Sequence, residues 1–213
     1  MTVRNKFKQG IGDGFTLVEL LIVIALLGAI ALIVIAAINP IEQANRAKDT
    51  RFKADGAQMI SAIDRYFASF SEFPWVTADT PAGVENDDAY GFFSASTIGV
   101  GLCATANCDP RTLADRGELI SSDELKSEFM NRDFAQYTGV DASKKLYIGK
   151  PAGTSESVYA CFIPASKSVR GKALSDGNVY HLTNAGGRND GSDCTTDAWD
   201  TTELTGCYVC IPE

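Results

Sequence analysis

The order of apolar and polar positions divides the chain into three stretches. From Phe15 to Ile38 it reads FTLVELLIVIALLGAIALIVIAAI, 24 residues with one ionisable side chain, Glu19. A block that is apolar on every face is buried in lipid, in protein, or in each at different times. As a helix at 1.5 Å per residue it reaches roughly 36 Å, enough for a hydrocarbon core of about 30 Å. Asn39-Pro40 interrupts it, because proline lacks an N–H and disfavours helix at the residue before it. Residues 41–72 then take up a helical period. Phe52, Met59, Ile63, Phe67 and Phe70 form a stripe that Ile60 and Tyr66 widen. Lys48, Asp49, Arg51, Lys53, Asp55, Asp64 and Arg65 read as the opposite, polar side. This predicts an amphipathic helix with one face on a sheet, ended by Phe73-Pro74-Trp75. Gly56 falls on the apolar side, either as a tolerated glycine or where backbone comes close to the sheet.

Beyond the helix the pattern shortens. Residues 76–111 read as a long irregular loop, with Pro81-Ala82-Gly83 and Glu85-Asn86-Asp87-Asp88. Ser121 with Glu124 resembles a capping box and predicts a short helix near 122–130. Lys145–Ile148, Ser157–Ile163, Asn178–Leu182 and Gly206–Ile211 are rich in Tyr, Val, Ile and Phe and read as strands, with Asp176-Gly177 as the turn before the third. The fold class is therefore α+β. A long N-terminal helix, half transmembrane and half amphipathic, packs on a small antiparallel β-sheet head.

Charge changes the picture at two places. The net charge of −8 argues against nucleic acid as a partner through a general basic surface. Ahead of Phe15, however, Arg4, Lys6 and Lys8 stand against Asp13 alone, which favours a cytoplasmic N-terminus. Arg46, Lys48, Arg51 and Lys53 just past the span weaken that bias. The second place is Glu19. A carboxylate within a membrane span costs about 2.5–3.5 kcal/mol even on the lenient insertion scale, so a functional partner is expected. A signal peptide has a shorter apolar core, and a plain anchor has no use for Glu19.

With these residues in view, Gly14-Phe15-Thr16-Leu17-Val18-Glu19 resembles the cleavage and methylation motif of type IV prepilins and type II secretion pseudopilins. The resemblance covers about residues 4–75. It implies cleavage after Gly14 by a prepilin peptidase, N-methylation of Phe15, and use of Glu19 in assembly. It also implies a leader at 1–14, an assembly helix at 15–38 and an exported head at 39–213. Pro40 marks the helix break, later than the kink proline of many family members. The implied protein is a structural, non-enzymatic subunit of a homo-oligomeric helical filament. It would be stored in the inner membrane as a single-pass precursor with its N-terminus inside, and end in an extracellular or periplasmic filament. An assembly ATPase and a platform protein are the further partners implied. A secretion pseudopilin and a minor pilin are the alternatives, and a membrane-tethered exported binding domain is the more remote one.

The candidate chemistry is sparse. His181 is the sole histidine and sits in an expected strand, so it reads as structural. Gly10, Gly12 and Gly14 precede an apolar span with no strand before them, so they are no phosphate loop. The six cysteines, all past the apolar block, would suit disulfides in an exported head and zinc in a cytosolic one. The resemblance favours disulfides. Six cysteines allow 15 pairings, and the set favoured here is Cys103–Cys108, Cys161–Cys210 and Cys194–Cys207. Asp190, Asp193, Asp197 and Asp200 form an acidic loop. Such loops are usually solvated, but major pseudopilins carry calcium in a C-terminal loop. The resemblance thus makes these four aspartates candidate Ca²⁺ ligands, and no other cofactor is expected.

Overall fold

The computed structural model describes residues 14–37, 39–106, 108–195, 199 and 204–212. Contacts divide the chain into two units at Pro40 and Ile41. The first holds α1 (Leu17–Ala37), in which every residue from Leu17 to Ile35 is exposed. That 19-residue stretch is long and apolar enough to cross a membrane. Asn39 is not helical, and Pro40 opens α2 (Pro40–Phe70), at a position where its missing N–H would be unpaired in any case.

The head continues with α3 (Pro74–Thr77), β1 (Tyr90–Ser94), α4 (Glu118–Ser121), α5 (Asp133–Gln136), β2 (Tyr147–Lys150) and β3 (Tyr159–Phe162). It closes with α6 (Lys167–Asp176), β4 (Tyr180–Leu182), β5 (Arg188–Asp190) and β6 (Val209–Ile211). The main sheet is antiparallel in the order β1-β2-β3-β6, and β4 and β5 make a separate hairpin. Strand alternation gives the sheet two buried faces. Ile148, Ala160 and Phe162 join Phe52, Met59 and Ile63 of α2 in one core. Tyr147, Cys161 and Ile163 point the other way, into a second core with Leu182, Trp199 and Tyr208.

Several expectations are corrected here. Residues 76–111 contain the edge strand β1, hidden in the sequence by its shortness and by Gly91. A Cβ on Gly91 would lie 2.5 Å from the Asn184 carbonyl oxygen. The segment expected as a third sheet strand, Asn178–Leu182, pairs with β5 instead. Asp176-Gly177 is a turn before that segment, as expected, but it ends α6 and does not follow a strand, with Gly177 left-handed at φ 71°. Helix near 122–130 is replaced by α4 and a 3₁₀ turn at Ser127–Asn131. The supposed cap Glu124 instead accepts from Arg65 Nε at 2.8 Å. Asp49 and Asp55, read as part of the polar face, are buried. Each has a partner that the helical period cannot show: the start of α6 for Asp49, and Arg132 at 3.4 Å for Asp55.

Gly56 marks the close approach of α2 to the sheet. A Cβ there would stand 3.0 Å from Ala160 Cβ and 3.4 Å from Ile211 Cδ1. Gly56→Val is expected to destabilise the head by about 1–3 kcal/mol through overpacking, read as a lower urea midpoint at unchanged slope. Gly56→Ala should cost less, because its helix propensity partly offsets the contact.

Candidate functional site

The N-terminal site is built on the first turn of α1. Thr16 precedes the helix and Glu19 is its third residue. Thr16 Oγ1 accepts from the Glu19 N–H at 3.1 Å, and Glu19 Oε2 accepts from the Thr16 N–H at 2.9 Å. The Thr16 hydroxyl also donates to Glu19 Oε2 at 2.9 Å. This is a reciprocal capping box that satisfies two of the backbone donors a helix start leaves open. The Thr-x-x-Glu pattern ahead of an apolar run is a legible signal for it, and Thr16 is the residue that the reading of Glu19 alone overlooks. The carboxylate is thus held at the helix start, while Phe15 beside it is 85% exposed. Gly14 has open space where a Cβ would stand, so nothing within the described chain requires a glycine there. The rest of the leader, 1–13, lies outside the described residues.

Within the head, two carboxylates near the start of α2, Glu42 and Asp49, fasten it to the start of α6. Glu42 accepts from Ser166 Oγ at 2.5 Å and from the Ser168 N–H at 3.1 Å. Asp49 accepts from the Ala165 and Ser166 N–H groups at 2.8 and 2.9 Å. Both sit at the N-terminus of α6, where the helix dipole favours negative charge. The Ser166 hydroxyl, and then the Ser168 N–H, hold Glu42 below its ordinary pKa. Burial outweighs the two N–H bonds at Asp49 and pushes its carboxyl up.

The cysteines stand in three pairs: Cys103–Cys108, Cys161–Cys210 and Cys194–Cys207, with Cα separations of 5.0, 4.0 and 6.1 Å. Cys161 and Cys210 are register partners across β3 and β6, so their bridge lies within the sheet. Cys194–Cys207 ties the segment after β5 to the approach of β6, beside His181.

Of the candidate calcium ligands, Asp197 and Asp200 lie outside the described residues. Asp190 is exposed in β5. Asp193 Oδ1 accepts from His181 Nε2 at 2.7 Å, and that bond, first among the causes, raises the His181 pKa. Among the described residues, the one His/Cys/Asp/Glu group close enough to hold a metal ion is His181, Cys194 and Cys207. Its two sulfurs are bonded to each other and cannot act as thiolates. Asp190 and Asp193 are the two candidates among the described residues, and neither falls in that group.

Against known families, residues 13–35 match the prokaryotic N-terminal methylation motif, the signature of type IV pilins and pseudopilins. No curated protein and no solved structure matches the chain. The matched segment contains Gly14, Phe15, Thr16 and Glu19, the residues of the site just described, and most of α1.

Proposed function

We propose that this chain is the precursor of a structural subunit of a type IV pilus-like filament. A prepilin peptidase cuts after Gly14 and methylates the new Phe15 amine. The apolar helices then bundle, driven by an assembly ATPase and a platform protein, with the heads outside the cytoplasm. The observation that carries this reading is the methylation motif over an exposed apolar helix, with Glu19 held at its start. Cleavage leaves an ammonium on Phe15 within apolar surroundings. An unpaired buried charge is costly, and Glu19 of a neighbouring subunit offsets it. The open space at Gly14 favours the same reading, because the demand for a glycine would then come from the peptidase and not from the fold.

Mass spectrometry of assembled material is expected to find an N-methylated chain beginning at Phe15. Gly14→Val should accumulate as uncut precursor in the membrane. A Met1 start in assembled filaments would overturn the proposal.

A further inference from the structure

His181 is more than a sheet residue, because its ring lies against a disulfide. Its Nδ1 faces the Gly206 carbonyl oxygen at 3.0 Å and its Nε2 faces Asp193 Oδ1 at 2.7 Å. Both contacts are to acceptors, and the doubly protonated ring is the form that can donate to both at once. Nε2 is also 4.0 Å from Cys194 Sγ. Among the described residues Asp193 is the carboxylate that faces the ring, and its bond to Nε2 favours the protonated form beside the sulfur. A cation at that distance stabilises a thiolate on Cys194 and makes it the better leaving group of the pair.

Access points to the same bridge. Cys194 and Cys207 keep 7% and 6% exposure, against at most 2% for the other four cysteines. Cys161–Cys210 is covered on both strands of the central sheet, and Cys103–Cys108 belongs to the core under α2. The bridge with a cation beside it is also the least covered.

We infer that Cys194–Cys207 is a thiol-exchange site, attacked at Cys207 Sγ by an external dithiol and releasing the Cys194 thiolate beside His181. The attacking thiolate bonds to Cys207 Sγ as the Cys207–Cys194 bond breaks, and the electron pair of that bond stays on Cys194 Sγ. The second thiol of the reductant then displaces Cys207, so the dithiol leaves as its own disulfide. Two electrons and two protons pass to the head, which gains two thiols. The reverse sequence, with an oxidised dithiol, forms the Cys194–Cys207 bond again. The other two bridges, Cys103–Cys108 and Cys161–Cys210, take no part in the exchange.

The test uses the full chain in detergent micelles at one fixed pH. Limiting dithiothreitol is followed by acid quench, alkylation and peptide mapping. Label is expected on Cys194 and Cys207 first, about tenfold or more ahead of the other four cysteines. With glutathione, a monothiol, the trapped mixed disulfide is expected on Cys207. His181→Gln should slow opening of this bridge about three- to tenfold and leave the other two rates unchanged. Asp193→Asn, at an exposed position, should act in the same direction while disturbing the fold less. Simultaneous opening of all three bridges, glutathione on Cys194, or unchanged rates in both variants would each overturn the inference.

Discussion

Filaments grown from mixed wild-type and Glu19→Leu subunits are expected to contain far less variant than the membrane pool that supplies them. Removing one member of a buried ion pair costs about 3–5 kcal/mol, because the other charge is left uncompensated. At about 1.4 kcal/mol per factor of ten, that is roughly a hundredfold loss of incorporation or more. The structure adds a rival cause, since Glu19 also caps its own helix through Thr16. Cap removal costs about 0.5–2 kcal/mol, a smaller effect. Glu19→Gln separates the two. Gln still suits the third position of a capping box, but it cannot carry the charge. If charge pairing drives assembly, the Gln variant should be excluded almost as strongly as Leu. If capping were the role, it should assemble nearly as well as wild type. Both variants should insert and be cut normally, since Leu removes a polar group from the span. Incorporation is read by quantitative mass spectrometry of filaments against membranes. Wild-type incorporation of the Leu variant would remove Glu19 from assembly and favour a tethered domain.

The second large effect is expected at the bridge within the sheet. The three disulfides span 5, 49 and 13 residues in the order Cys103–Cys108, Cys161–Cys210 and Cys194–Cys207. In the chain-entropy account, a cross-link stabilises by restricting the unfolded chain, and more so for longer loops. These spans correspond to about 2, 4 and 3 kcal/mol respectively. Cys161→Ala with Cys210→Ala should therefore lower stability most, by about 4 kcal/mol, a large part of a typical 5–15 kcal/mol. Urea unfolding of the full chain in detergent, compared with the Cys103→Ala/Cys108→Ala pair, reads the ranking. Equal losses for the two pairs would exclude loop length as the controlling quantity.

The chain itself determined what depends on local chemistry and on periodic pattern. A run of 24 residues with one charge is apolar on every face, so it is buried in lipid or in protein whatever the rest of the chain does. Asn39-Pro40 interrupts helix by its own sterics. Phe52, Met59 and Ile63 face the sheet because a helix repeats every 3.6 residues. The Thr16–Glu19 box was legible for the same reason, since its partners are three residues apart. Tertiary structure decided what depends on distant partners. β1 became an edge strand through pairing with β2, which its five residues do not announce. α6 has little apolar stripe, and its start is set by Ser166 together with Glu42 and Asp49, more than 100 residues earlier. Those two carboxylates look like ordinary helix surface in sequence. One is buried and the other engaged only because the fold brings a helix N-terminus to them. Likewise His181 faces Asp193 and Cys194 only after the hairpin forms, because no period along the chain relates a strand to the loop that folds back on it.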